Sequence, residues 1–276
     1  MDLTSVRTVR VPQHRGEAVC APGEVVLGGG TWLFSEPQPG VTGLVDVTGL
    51  GWPPLTATDA GLSIAATCTF AELAAAPPGV LGGAADLVGA CCAALLGSFK
   101  VQRSATVGGN VCLALPAGPM IALAATLDAR ALVWTPGGGE RTVPVAGLVL
   151  GVRRTGLGAG EVLRSVEVPR AVLGSRTASR RLALSAHGRS GVLVTGRVDP
   201  TGHTVVVVTA STPRPYVLRF DAPPAPRELA DAVHAVDDWY DDPHGAPDWR
   251  RAMTVRLAEQ VRVELAAAPA APGGHA

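Results

Sequence analysis

Two short glycine-bearing stretches hold the residue types in this chain that could do chemistry. The first is Gly28-Gly29-Gly30-Thr31-Trp32-Leu33, entered from an apolar run that ends at Leu27. The second is Ser104-Ala105-Thr106-Val107-Gly108-Gly109-Asn110, and Asn110 is the only asparagine among 276 residues. Residues without a Cβ let the backbone bend into φ > 0 and come close to a ligand. Successive N–H groups in such a bend can form a concave nest for an anion. Thr31 and Thr106 can add hydroxyl donors, and the Asn110 amide can orient a phosphate or hold its own loop. Asn110 also reads as a turn residue that tolerates the left-handed backbone. One glycine pair is weak evidence in a chain with 34 glycines. The paired stretches together predict an anion-binding cradle. Neither is a Rossmann fingerprint, since Leu33 stands where G-x-G-x-x-G needs glycine, and no Gly-Lys-Ser/Thr follows to make a Walker A loop.

The flanking sequence predicts the elements that position these loops. Residues 7–12 and 24–27 read as strands, the second running into the first glycine loop. A short helix is expected at residues 32–34 and a further strand at 43–47, parallel to its predecessor. Residues 61–66 alternate as a strand. Thr69-Phe70-Ala71-Glu72 is a capping-box start. Residues 84–96 form a near-continuous apolar helix, broken at Gly97, and its all-round apolarity predicts burial. Residues 99–103 lead into the second glycine stretch, and 120–127 form another buried helix. Residues 131–134 and 140–144 read as strands. Gly156-Leu157-Gly158-Ala159-Gly160-Glu161 reads as a hairpin loop before a strand at 162–168. Residues 169–179 read as a domain boundary. Beyond it, strands at 191–198, 203–210 and 217–220 predict a three-stranded antiparallel meander, with Asp199-Pro200-Thr201-Gly202 as a turn. Helices follow at 226–236 and 249–265. The acidic turn between them, Asp237-Asp238 and Asp241-Asp242-Pro243, matches no calcium loop and reads as a solvated cap.

Composition narrows the function. Hydrophobic residues make up 47% of the chain and the formal net charge is zero. That balance argues against nucleic acid or an anionic membrane as a partner held by bulk charge. Lys100 is the only lysine, which with the Ala, Gly and Pro content suggests coding bias. Cys20, Cys68, Cys91, Cys92 and Cys112 show no zinc or iron–sulfur spacing and read as small hydrophobes in a reducing cytosol. No apolar stretch is long enough to span a bilayer, and Met1-Asp2-Leu3-Thr4 opens no signal peptide, so a cytoplasmic protein is expected. The six histidines fall mostly in predicted turns or tails, and none makes a convincing base.

The order of these pieces resembles the FAD-binding (medium) subunit of molybdenum hydroxylases, the xanthine dehydrogenase and aerobic carbon monoxide dehydrogenase family. The family's A-G-G-T-D-L loop stands here as Gly28-Gly29-Gly30-Thr31-Trp32-Leu33. Its T-I-G-G-N loop stands as Thr106-Val107-Gly108-Gly109-Asn110, preceded by Arg103 at the arginine of R-N-x-G-T. Its L-x-I-G-A strand and T-x-x-E-L helix start match Leu62-Ser63-Ile64-Ala65-Ala66 and Thr69-Phe70-Ala71-Glu72-Leu73. Its A-L-x-A-L-D-A helix end matches residues 122–129, and Asp248-Trp249-Arg250-Arg251-Ala252-Met253 resembles a region of its C-terminal domain.

The resemblance implies an α+β fold: a two-subdomain FAD-binding fold of the vanillyl-alcohol-oxidase type at 1–170 (subdomains about 1–54 and 55–170). A C-terminal three-stranded antiparallel sheet covered by helices would follow at 176–266, with a disordered tail at 267–276. It implies FAD held by Leu27, Gly28, Gly29, Gly30, Thr31, Trp32, Leu33, Arg103, Thr106, Gly108, Gly109 and Asn110, with no catalytic residue or metal ligand of the chain's own. It also implies partners, a molybdenum-cofactor large subunit and a 2Fe-2S small subunit, with electrons passing through FAD to NAD or another acceptor. Two positions depart. Trp32 replaces the first loop's acidic residue, and Pro119 stands where the family has an aspartate in a P-x-x-D bend. Losing a buried carboxylate is worth about 1–3 kcal/mol, so reduced FAD affinity is the expectation. Two alternatives stay open: a stand-alone FAD-dependent small-molecule oxidase, and a degenerate scaffold subunit with weak FAD binding.

Overall fold

The structure is a computed structural model that describes residues 3–267. The expected tail lies outside the described residues apart from Ala267. The chain opens with β1 (Thr8–Arg10), β2 (Glu24–Leu27) and β3 (Gly43–Asp46), a parallel sheet with β3 in the middle. The helix expected at residues 32–34 does not form. The segment is a run of turns, closed by Phe34 N–H to the Gly30 carbonyl (2.9 Å) and Ser35 N–H to the Trp32 carbonyl (2.9 Å). Pro37 and Pro39 follow at once, and proline denies a helix both its donor and its geometry.

An ion pair ties the two outer strands. Arg10 on β1 donates to both Glu24 carboxylate oxygens on β2, at 2.9 and 2.5 Å. These bonds from Arg10, joined by the Ala21 N–H, hold the Glu24 carboxyl down at about 2 instead of 4.5. The folded-state value lies below the unfolded one, so this stabilisation is complete above about pH 4.5 and is lost as the pH falls toward 2. Thermal melts of Glu24→Gln and wild type should therefore differ at pH 7, and the gap should close as the pH is lowered through that window. A gap unchanged at pH 2.5 would remove the pair from the account.

The second layer is a five-stranded antiparallel sheet with helices on one face. It begins with β4 (Leu55–Thr58) and β5 (Gly61–Ala65). Six helices follow: α1 (Phe70–Ala74), α2 (Pro78–Leu81), α3 (Ala85–Ala94), α4 (Phe99–Ser104), α5 (Val107–Leu113) and α6 (Pro119–Thr126). Then come β6 (Arg130–Trp134), β7 (Glu140–Pro144), α7 (Val145–Leu148), the small pair β8 (Val149–Gly151) and β9 (Arg154–Thr155), and β10 (Val162–Pro169). The sheet order is β4-β5-β10-β6-β7. The capping box at α1 forms as read: Glu72 N–H donates to Thr69 Oγ1, and Thr69 N–H donates to the Glu72 carboxylate. Leu62, Ile64, Phe70, Leu87, Val111 and Ile121 share the core between sheet and helices.

The loop at residues 156–161 is not a hairpin. Both edges of β10 are taken, by β5 and β6, so β9 pairs with β8 instead and the loop passes between two sheets. The parallel sheet and the five-stranded sheet meet at a stack of rings and guanidinium groups. Arg15 lies 4.8 Å over Trp134, Trp134 meets Trp52 edge-on at 5.2 Å, and Arg164 lies 4.3 Å over Trp52. Such edge-to-face and cation–π contacts add about 0.5–1.5 kcal/mol each beyond area burial.

The last part holds α8 (Arg170–Leu173), β11 (Arg176–Leu182), β12 (Val192–Val198), β13 (Thr204–Thr209), β14 (Tyr216–Phe220), α9 (Pro226–His234) and α10 (Pro247–Ala266). The expected three-stranded meander is present as β12–β14, and β11 adds a fourth strand at its edge. Three arginines in β11 hide its strand character. Every residue of β12 is buried, because α9 and α10 cover one face of this sheet and α6 lies on the other. The Thr126 and Thr195 hydroxyls meet there at 2.6 Å. Arg197, 4% exposed, bonds the Thr126 carbonyl at 2.7 Å and pairs with Asp128, which also receives Arg219. Burial alone would raise the Asp128 carboxyl, but Arg219 and Arg197 outweigh it and hold it below the usual range.

Among the described residues no helix is long and apolar enough to cross a membrane, and no cluster of histidine, cysteine and carboxylate groups could hold a metal ion. All five cysteines are free thiols. Burial pushes Cys68 and Cys112 up to about 12 and Cys92 up to about 11, so none offers a ready thiolate at neutral pH.

Candidate functional site

The two glycine stretches come together along one cleft of about 690 Å³. Its walls are the end of β2 with the first loop, the α3–α4 turn, α5 and the α5–α6 connection. Arg153 from the β8–β9 tip and the β11–β12 connection with His187 and Arg189 complete it. A volume of this size falls in the range of small-molecule and cofactor sites.

The second stretch is not a bend with φ > 0. Thr106 N-caps α5, and Gly108 and Gly109 lie in its first turn with ordinary helical backbone. Their N–H groups are taken. Val107 donates to the Cys68 carbonyl (2.8 Å), Gly108 to Ala66 (2.8 Å), Gly109 to Thr106 Oγ1 (3.0 Å) and Asn110 to the Thr106 carbonyl (3.0 Å). The expected nest is therefore absent from this stretch, because the capped helix and the β5–α1 connection absorb its donors. Gly108 is there for space: a Cβ would stand 2.5 Å from Ala66 Cβ and 2.8 Å from its carbonyl oxygen. Asn110 is helical, not a left-handed turn. Its Oδ1 accepts the Met120 N–H at 3.0 Å, tying α5 to the start of α6. That bond settles the orientation of the amide, and leaves its nitrogen as a donor in the cleft wall with no partner among the described residues.

The first loop carries the donors. The backbone N–H groups of residues 29–33 give no hydrogen bond to any acceptor among the described residues. The loop lies directly on the second stretch. A Cβ on Gly29 would fall closer to the Ser104 carbonyl oxygen than any non-bonded pair can come. Gly30 has φ +69, and a Cβ there would enter the Phe34 ring. Strand, close contact and left-handed turn thus place residues 28–33 in the cleft wall, and the N–H groups of 29–33 are not engaged by other acceptors among the described residues.

The ionisable groups lining the cleft are Arg153, His187, Arg189 and Cys112, and no carboxylate is among them. Trp32 Nε1 is buried and has no hydrogen-bond partner among the described residues. Leu27, Gly28, Gly29, Gly30, Thr31, Trp32, Leu33, Thr106, Gly109 and Asn110 all line the cleft. Gly108 lies beneath it, buried. Arg103 does not line it but sits exposed at the end of α4. Pro119, in the place of the family's aspartate, is the buried first residue of α6, a position proline favours. Sequence reading missed Arg153 and Arg189, whose loops carry no local motif. Unpaired N–H groups, an orphaned indole N–H and cations without carboxylates suit a dianionic diphosphate, so these residues fit a dinucleotide cofactor.

Residues 15–171 match the family model described as the FAD binding domain in molybdopterin dehydrogenase. A search of curated proteins finds no match. Solved structures share the fold over nearly the whole chain, and three of them illustrate it. A carbon monoxide dehydrogenase from Hydrogenophaga pseudoflava that lacks the Mo-pyranopterin moiety of its cofactor matches with a TM-score of 0.80 at 20% identity, over 93% of this chain and 96% of that one. Quinoline 2-oxidoreductase from Pseudomonas putida 86 gives 0.76 at 20% identity, over 94% and 97%. Reconstituted CO dehydrogenase from Oligotropha carboxidovorans gives 0.82 at 18% identity, over 95% and 99%.

Proposed function

This chain belongs to the family of FAD binding domains in molybdopterin dehydrogenases, and from that premise we propose that it is the electron-transferring FAD subunit of a molybdenum-hydroxylase complex. FAD is its cofactor. The observation that carries the assignment of the site is the cleft itself, with an unpaired row of backbone donors on one wall and only cations among its charged groups. In the proposed site, residues 29–33 receive the diphosphate through their N–H groups. Thr106 supports the loop from below, with its hydroxyl hydrogen still available to donate. The Asn110 amide nitrogen faces the ligand while its oxygen holds α6 in place. Apolar Leu95, Leu96 and Leu113 exclude water from the remainder of the cleft.

FAD supplies the redox chemistry when bound, accepting and releasing electrons singly or in pairs. The chain's contribution is binding, orientation and shielding. Electrons are proposed to arrive from a 2Fe-2S partner subunit, to originate at a molybdenum-cofactor subunit, and to leave for NAD or another acceptor.

The test is a flavin titration of the purified chain, followed by co-purification from its host with an absorption spectrum. Uptake of one FAD with quenched flavin fluorescence is expected, together with iron–sulfur absorption in the co-purified complex. A folded chain that takes up no flavin would overturn the reading. Turnover of a small molecule by the isolated chain would favour a stand-alone oxidase.

A further inference from the structure

Trp32 stands where the family's first loop carries an acidic residue, and its environment is the reverse of one built for an acid. The indole ring belongs to the cleft wall, and its Nε1–H is buried without an acceptor among the described residues. An orphaned buried donor is uncommon in a folded protein and calls for a partner. The Arg153 guanidinium lies 5.8 Å from the centroid of the same ring. Among the described residues Arg153 makes no ion pair, and no carboxylate lines the cleft to neutralise it.

The placement of Arg153 is enforced. It sits at the tip of the β8–β9 pair with φ +54, a left-handed backbone that side-chain-bearing residues rarely adopt. Its N–H donates to the Ala114 carbonyl at 2.9 Å, and Ala114 is the left-handed C-cap of α5, with φ +49. Two uncommon backbone conformations are thus bonded to each other. They hold the hairpin tip to the helix whose first turn contains Gly108 and Gly109. The first loop, α5 and the hairpin tip line the same cleft, and the Trp32 ring and the Arg153 guanidinium meet there.

We propose that Trp32 and Arg153 form a two-part clamp for the diphosphate of the bound dinucleotide. The indole N–H donates to one phosphate oxygen, and the guanidinium, stacked on the ring, neutralises the charge. This rests on the reading of the cleft as the FAD site. It reverses the expectation from sequence that replacing the acidic residue only weakens binding. In this chain a carboxylate at position 32 would pair with Arg153 and repel the phosphates.

The experiment measures the affinity of FAD and of ADP, which shares the diphosphate but lacks the flavin, by calorimetry on purified wild type and three variants. Trp32→Phe keeps the ring and removes the N–H. Arg153→Asn keeps a residue that tolerates the left-handed backbone and removes the charge. Trp32→Asp restores the family's residue. Trp32→Phe should weaken both ligands about fivefold and Arg153→Asn about tenfold, the size of one hydrogen bond and one charge-assisted contact. Trp32→Asp should weaken them by more than either. FAD binding to Trp32→Asp as tight as wild type, or Arg153→Asn unchanged for both ligands, overturns the clamp while leaving the FAD site standing. Wild type that binds neither FAD nor ADP overturns both. Thermal melts confirm that each variant is folded, and Trp32→Phe, the mildest change, keeps the test valid if Trp32→Asp unfolds.

Discussion

Replacing Gly29 with alanine is expected to raise the FAD dissociation constant by at least about a hundredfold while leaving a folded protein. The glycine lies on the peptide that joins Ser104 to Ala105. A Cβ there would coincide with the Ser104 carbonyl oxygen and come within 3.2 Å of Ala105 Cα. These are backbone atoms and cannot rotate away as a side-chain tip could. Ala105 is fixed further, since its N–H bonds the Val101 carbonyl at 2.7 Å and its carbonyl receives the Phe70 N–H at 3.0 Å. The first loop must therefore lift off, taking the N–H row of residues 29–33 out of register with the rest of the cleft. Overpacking of this kind costs about 1–3 kcal/mol of stability, which a domain of this size survives. Gly89→Ala is the matched control. That glycine lies on the exposed side of α3 with nothing near its missing Cβ, and alanine there should stabilise the protein by about 0.5–1 kcal/mol. Calorimetric titration with FAD and circular dichroism on both variants decide the matter. Gly29→Ala binding FAD within about threefold of wild type would show that the cradle does not depend on contact between the two stretches.

What could be read from the chain, and what could not, divides along physical lines. The capping box at Thr69 and Glu72 and the turn at residues 199–202 are local signals, and local hydrogen bonds form them, while the strand into Gly28 is legible from its own apolar run although its partner β3 lies further along the chain. Gly108 and Gly109 were legible as important but not for the right reason. A glycine needed for φ > 0 and a glycine needed for close packing look alike in a sequence, and only the folded contacts distinguish them, with Ala66 at Gly108 and the Thr106 hydroxyl at Gly109. β11 was hidden because Arg176, Arg180 and Arg181 sit on an edge strand, where one side meets solvent and the hydrophobic alternation is lost. Arg153 was hidden for a different reason: its role depends on Trp32, 121 positions away and contributed by another layer of the fold. Long-range placement leaves no periodicity to detect.

The acidic turn shows the same limit, and it leads to the largest stability effect expected in the chain. Asp242 reads as one of several solvated carboxylates, yet it faces Arg250, whose side chain is 1% exposed. Arg250 donates to the Gly245 carbonyl at 2.8 Å, to the Ala210 carbonyl and to Asp242, and lies 5.3 Å from the Tyr240 ring centroid. Asp242 also accepts the His244 N–H at 2.8 Å. Arg250→Met should cost about 3–5 kcal/mol, because methionine fills the space but strands a partly buried carboxylate and two carbonyls. Arg250→Lys should cost less, since an ammonium keeps the charge but lacks the fork that reaches three acceptors. The double variant Arg250→Met with Asp242→Asn should recover part of the loss, since the uncompensated charge is gone. Urea unfolding of the three variants reads these differences, and a double variant no more stable than Arg250→Met alone would mean that the carbonyls and not the charge dominate. The site also bears on the cleft. Ala210, which receives Arg250 through its carbonyl, donates its own N–H to the Pro116 carbonyl at 2.7 Å, in the α5–α6 connection that walls the proposed cofactor cleft. Loosening Arg250 should therefore raise the FAD dissociation constant a few-fold under conditions where the protein is still folded. The four-stranded sheet acts in this way as the rear support of the cleft wall.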